Sequence, residues 1–180
     1  MSKTSREHKA SAPKKVKFAV FTCSTSRYRT QSLGGKAEDP SGDLIVDLLK
    51  AKGHEVTRRS IIPDDKEFIE KAVEEALSSE DVDAIITCGG TGISKTDVTI
   101  ETMRTFLEKE LEGFGEILRR ISYDEIGSAA VLTRATAGVC RGKVIFSIPG
   151  SPQAVRVALE KLILNEVGHI LKHARAVSYT

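Results

Sequence analysis

Short apolar runs of strand length, each followed by a segment with helical periodicity, alternate along the first part of this chain and constrain its fold more than any other feature. Residues 16–22 (VKFAVFT) form a β-branched and aromatic run, the pattern of a buried strand. Residues 41–52 place Leu44, Ile45, Leu48 and Leu49 on one helical face, and Gly53 stops the helix. Residues 54–62 read as a second strand, punctuated by Pro63-Asp64-Asp65. Residues 66–79 then carry Phe68, Ile69, Ala72, Val73, Ala76 and Leu77 at helical spacing. Residues 83–87 (DAIIT) are a third strand and 99–110 a further helix. Strands separated by helices are joined by right-handed crossovers into a parallel sheet.

The remainder is less regular. Residues 112–122 and 126–132 read as helices, residues 136–140 and 143–147 flank Arg141-Gly142 as a hairpin, and 153–172 form a last amphipathic helix. The expected fold class is therefore α/β, a three-layer sandwich whose mostly parallel sheet carries one antiparallel strand. The polar stretch 23–39 is expected to be a functional or mobile loop. Residues 1–15 are expected to be a disordered basic tail, because Lys3, Arg6, Lys9, Lys14 and Lys15 fall there with no apolar run. Residues 16–180 would form one domain, a size that can bury its own core.

Net charge narrows the partners. Lys and Arg total 27 against 25 Asp and Glu; outside the tail the balance is near neutral, which argues against nucleic acid. No run approaches the roughly 20 apolar residues of a membrane helix, and residues 1–15 lack the apolar core of a secretory signal. The three cysteines, Cys23, Cys88 and Cys140, are far apart and odd in number. They form neither a disulfide framework nor a zinc motif, so a reducing cytoplasm is expected.

In open α/β sheets, ligands bind beyond the carboxyl ends of the strands, where loops and helix N-termini meet. That rim collects Ser24, Ser26 and Arg27 after the first strand and Asp64 after the second. It adds Gly89-Gly90-Thr91-Gly92 through Lys95 and Asp97 after the third, and Pro149-Gly150-Ser151-Pro152 after the last. Glycines between a strand and a helix let backbone N–H groups face an anion without Cβ obstruction, and the next helix adds its N-terminal dipole. This is the composition of a phosphate site. Two common motifs are excluded. A Walker A loop needs glycine where Ser94 stands, and a dinucleotide fingerprint counted from Gly90 needs glycine where Lys95 stands. For several of these residues a structural reading stays open beside the functional one. Asp97 is a helix cap or a Mg2+ ligand; Asp64 with Glu67 forms a capping box or meets ligand; Ser151 and Pro152 cap the last helix. Arg119, Arg120 and Arg134 are solvated cations or phosphate contacts.

Four segments occur in one order: Gly89 through Glu101 (GGTG-x-x-x-x-D-x-T-x-E), Gly113-Phe114-Gly115-Glu116, Leu132-Thr133-Arg134 and Pro149-Gly150-Ser151-Pro152. Together with Ser24-Thr25-Ser26-Arg27 and Asp39-Pro40-Ser41-Gly42, this arrangement resembles the molybdopterin-binding family of the MoaB/Mog type across about residues 16–172. The resemblance implies a molybdopterin-binding-like domain, trimeric or hexameric, that transfers AMP from Mg-ATP to the terminal phosphate of molybdopterin and releases pyrophosphate. The activated product would pass to the molybdate-insertion protein of the same pathway. The family's two carboxylates fall on Asp64 and Asp97. Thr133 stands where relatives often carry Ser, and Lys95 where they often carry Arg.

A phosphate nucleophile is already anionic, so the task is to bring two anions together and support the leaving pyrophosphate. Asp64 and Asp97 are accordingly expected to position metal and substrate. The amides of Gly90, Thr91 and Gly92 and the Lys95 ammonium would hold phosphate oxygens, with further contacts from Ser24, Ser26 and Ser151. A carrier that binds molybdopterin without adenylylating it is the alternative. A scaffold whose glycines only make turns is a third reading.

Overall fold

The computed structural model describes residues 12–176. Positions 1–11, most of the expected basic tail, lie outside the described residues, as do 177–180. In chain order the strands are β1 (Lys17–Cys23), β2 (Glu55–Ile62), β3 (Ala84–Cys88), β4 (Lys109–Glu110), β5 (Thr136–Cys140) and β6 (Lys143–Ile148). The helices are α1 (Thr25–Ser32), α2 (Pro40–Ala51), α3 (Lys66–Leu77), α4 (Thr99–Arg104), α5 (Glu112–Ile126), α6 (Pro152–Val157) and α7 (Leu164–Ala174).

The sheet order is β2-β1-β3-β6-β5-β4. β2, β1, β3 and β6 are parallel, and β5 runs against both of its neighbours. The expected α/β sandwich with one antiparallel strand is what forms. Period-two alternation divides the strands between two cores. Phe18, Val20, Ala84, Ile86, Val144 and Phe146 face α2, α5, α6 and α7. Ala19, Phe21, Ile85 and Ile145 face α3 and Met103 of α4. Because helices cover both faces, the central strands are apolar throughout.

Several local expectations are corrected. The stretch 23–39 contains α1, a polar helix with no buried residue. It has no apolar stripe for a sequence pattern to reveal; Tyr28 meets Phe68 of α3 edge-on at 5.7 Å between ring centroids. The helix expected over 99–110 stops at Arg104, and the chain becomes strand β4 beside β5. Gly138 makes this pairing possible, since a Cβ there would fall 2.4 Å from the Lys109 carbonyl oxygen. The helix expected over 126–132 is a 3-10 segment, Gly127–Leu132, which follows directly on α5. Arg141 and Gly142 do form the tight hairpin turn, both with positive φ (49° and 70°). The last helix is continuous but holds a π-helical turn, Ala158–Ile163, between α6 and α7. Among the described residues no helix is long and apolar enough to cross a membrane.

Candidate active site

Strand order reverses between β1 and β3: the chain leaves β1 toward β2 on one side, and β3 lies on the other. The crevice at such a switch point is where open α/β sheets place ligands. Three turns meet there at glycine. Gly89 (φ 100°) lies so close to β1 that a Cβ would fall 2.4 Å from the Cys23 carbonyl oxygen. A Cβ on Gly150 would fall 3.1 Å from Gly89 Cα, and Gly89 N–H donates to the Ile148 carbonyl (3.1 Å). The Ser41 hydroxyl at the start of α2 donates to the Gly150 carbonyl (2.7 Å). The GGTG loop, the PGSP turn and the α2 N-terminus are thus one packed unit.

Asp64 faces this unit from the end of β2. Its Oδ2 accepts from the Thr25 amide (2.9 Å) and the Thr25 hydroxyl (3.2 Å), and its own amide donates to Thr25 Oγ1 (3.0 Å). Asp64 therefore anchors the first turn of α1. The expected capping box with Glu67 does not form, because the next residue, Asp65, caps α3 through the Glu67 and Phe68 amides. The other oxygen, Asp64 Oδ1, points at Gly90. So does Thr99 Oγ1: a Cβ on Gly90 (φ 60°) would fall 2.4 Å from each. Among the described residues these two are the buried side-chain polar atoms without a hydrogen-bond partner. Such atoms are costly to leave unpaired and call for an explanation.

Asp97 flanks the same loop two residues further on. Its Oδ2 accepts from the Ser94 amide (2.8 Å) and lies 2.6 Å from the position a Gly92 Cβ would take. It closes its own turn rather than capping α4, whose N-cap, Val98, has no side-chain bond. Arg134 completes this side. It donates to the Gly92 carbonyl (2.6 Å) and pairs with Glu101. Partial burial alone would raise the Glu101 carboxyl, but the Arg134 hydrogen bond and charge outweigh it, so its pKa lies below the ordinary value.

Thr91, Gly92, Thr133, Arg134, Pro149 and Ser151 line one cavity of about 310 Å³. Asp64, Gly90 and Asp97 are not among its walls; Asp64 meets Gly90 from the β2 side. Ser151 caps α6 as expected, accepting from the Ala154 amide (3.2 Å). Ser24 and Ser26 share a hydroxyl contact (3.3 Å), and Lys95 is exposed at the loop tip. Arg27 donates Nε–H to the Glu38 carbonyl (2.9 Å). Of the remaining cations, Arg120 pairs with Asp124 along α5.

Thr25, Thr99 and Ser41 carried no sequence expectation of their own. All three nonetheless fall inside the Ser-Thr-Ser-Arg, D-x-T and Asp-Pro-Ser-Gly segments that bear the resemblance. Asp39 is also missing from the expected site. It is buried, caps α2 through the Gly42 amide (3.0 Å) and accepts from Thr22 (2.8 Å) and Arg59 (3.0 Å). Burial pushes the Cys23 and Cys88 thiols up to about 12 each, so neither is a nucleophile at neutral pH.

Among the described residues no group of three or more His, Cys, Asp or Glu side chains could hold a metal. Mg2+ does not require one; it is commonly bound by one or two carboxylates plus substrate phosphates and water. The unpartnered Oδ1 of Asp64, against Gly90, fits that donor set, and Asp97 lies against Gly92 of the same glycine loop.

Fold and rim define an α/β domain whose glycine-rich turns meet at the switch point of the sheet. A model of the family described as "Probable molybdopterin binding domain" matches residues 19–169, and the chain belongs to that family. The "Molybdenum cofactor biosynthesis protein B" of Bacillus cereus is 50% identical over 165 residues, covering 91% of this chain and 94% of that protein. The "Molybdopterin adenylyltransferase" of Pyrococcus furiosus is 48% identical over 173 residues, covering 94% and 97%. The crystal structure of the "tungsten cofactor synthesizing protein MoaB" from Pyrococcus furiosus superposes with a TM-score of 0.81 at 46% identity, covering 92% of this chain and all of that one.

Proposed function

We propose that the protein is a molybdopterin adenylyltransferase of molybdenum or tungsten cofactor biosynthesis, moving AMP from Mg-ATP to the terminal phosphate of molybdopterin with release of pyrophosphate. The observation that carries this reading is the placement of two carboxylates, Asp64 and Asp97, against Gly90 and Gly92 of one phosphate-type loop. Similarity at 48% identity to a protein of that name, over nearly the full length of both chains, supports it.

The attacking phosphate oxygen needs no general base; the barrier lies in charge and alignment. The Gly90, Thr91 and Gly92 segment would present amides to phosphate oxygens, with Lys95 at the loop tip and Ser24, Ser26 and Arg27 along the α1 side. Thr133, Pro149, Gly150 and Ser151 shape the adjoining cavity, where the second substrate would sit. Asp64 and Asp97 would hold Mg2+, which when bound neutralises phosphate charge. The Arg134 bond to the Gly92 carbonyl fixes the loop before substrates arrive, and this preorganisation favours the transition state.

Purified protein incubated with molybdopterin and Mg-ATP is expected to yield adenylylated molybdopterin and pyrophosphate in equal amounts. Molybdopterin binding without either product would identify a carrier instead. We further place the protein in the cytoplasm, handing its product to the molybdate-insertion protein of the pathway. Self-association into trimers or hexamers would cover the exposed Tyr123 and Val131 (58% and 80% accessible). Sedimentation showing a monomer at micromolar concentration would overturn that assembly.

A further inference from the structure

Helix α7 carries a feature the adenylyl-transfer reading does not use. His169 and His173 lie one turn apart on the same face, with their rings 4.9 Å between centroids and their Nε2 atoms 3.1 Å from each other. On the far side of the first ring, His169 Nδ1 is 3.1 Å from Glu166 Oε2. A carboxylate holding one ring nitrogen while the other faces a second imidazole is an arrangement that orients histidines in metal sites, because it fixes tautomer and ring plane.

The Nε2 separation supports the same conclusion. Two metal–nitrogen bonds of about 2.0–2.1 Å across 3.1 Å subtend roughly 98°. That angle lies between the right angle of tetragonal Cu2+ or Ni2+ and the tetrahedral angle of Zn2+. His173 is in the last turn of α7, where the helix dipole favours a cation.

We propose that His169 and His173 form a binding site for a late first-row divalent cation, with Glu166 setting the His169 ring and water completing the coordination. Cu2+ binds most tightly, following the affinity order of these ions at nitrogen ligands. The site is separate from the glycine loops. Two residues beyond His173, Arg175 bonds the Gly142 carbonyl (3.1 Å) and Asp83 (2.6 Å), which places this end of α7 at the amino ends of β3 and β6.

The test is a calorimetric titration of the untagged full-length chain with Cu2+, followed by electron paramagnetic resonance of the loaded protein. One equivalent per chain with nitrogen hyperfine structure is expected. His173→Ala removes it, and Glu166→Gln weakens it about 10-fold. The chain has four histidines, so His8→Ala and His54→Gln serve as controls and retain it. Adenylyl transfer by His173→Ala is expected to match the parent, which keeps this proposal independent of the function proposed above. No stoichiometric binding, binding that survives the paired His169→Ala and His173→Ala changes, or binding lost with His8 would each overturn the site.

Discussion

At the amino ends of the strands, Asp83 takes the Lys17 amide on one oxygen (2.8 Å) and the Arg175 guanidinium on the other (2.6 Å). Lys17 reaches Asp81 (2.8 Å) and Lys15 reaches Glu55 (2.8 Å). At the carboxyl ends of the same sheet, Asp64 pairs only one oxygen, and Thr99 Oγ1 is left beside the other. One edge satisfies its charges internally, while the other keeps buried polar atoms in reserve against a backbone that only glycine permits. Such unfilled hydrogen-bonding capacity costs stability unless a ligand uses it. The difference separates an edge whose polar groups are paired within the fold from one where the proposed function would supply their partners.

Changes at Gly90 should break this contrast most severely. In Gly90→Ala a methyl group would meet Asp64 Oδ1 and Thr99 Oγ1 at 2.4 Å with φ at 60°. We expect a stability loss of about 2 kcal/mol or more and no measurable adenylyl transfer. Gly53→Ala, with a similar φ of 81° but open space around it, is the control. It should lose about 1 kcal/mol and keep activity. Denaturant midpoints and product assays on both variants decide the matter.

Asp64→Asn and Asp97→Asn come next. Each should lower turnover by about 100-fold or more, the scale of losing one preorganised electrostatic contact, with thermal midpoints little changed. Near-normal turnover would reduce these residues to turn-closing caps. At the opposite edge the pattern should invert. Asp83→Ala strands the Lys17 amide and frees Arg175, so we expect a loss of about 1–2 kcal/mol in urea denaturation and unaltered kcat.

The smallest effect concerns pH at the amino edge. The Lys17 hydrogen bond, then its charge, holds the Asp81 carboxyl below its ordinary value. A carboxyl depressed in the folded state adds stability above its unfolded pKa, about 3.9. That contribution is lost as pH falls through the lower folded value. The midpoint difference between parent and Lys17→Met should therefore be constant near neutrality and shrink below about pH 4. It should also shrink in high salt, since the pair is exposed. A difference that grows on acidification would contradict the pairing.

Much of this organisation was legible in the residues. The runs at 16–22 and 83–87 announce central strands because both their faces are covered by helices, which forces continuous apolar sequence. The glycine loop and the PGSP turn could be placed at one rim because strand-then-loop order fixes which edge they occupy. What escaped had no periodic signal. Helix α1 buries nothing, so its Ser, Thr and Arg residues look like loop. Strand β4 has two exposed residues, and its existence depends on Gly138, almost thirty positions away in sequence, clearing space for a carbonyl. The capping of α3 by Asp65 rather than Asp64 follows from a long-range claim: Asp64 is held by Thr25, 39 residues earlier.

The π-helical turn Ala158–Ile163 bears on how this domain tolerates change in length. Val155, Leu159, Ile163, Val167 and Leu171 are all buried at uniform steps of four. A regular α-helix would rotate by roughly 40° at each such step, turning Leu171 about 160° away from the side Val155 occupies. The wider turn takes up about 100° of that drift, so one surplus residue keeps both halves of the helix aimed at the sheet. Deleting a single residue there would restore ideal helical bonding yet swing Val167 and Leu171 about 100° toward solvent. In this segment the register of the core depends on a counted residue, and an insertion or deletion should be harsher than a substitution.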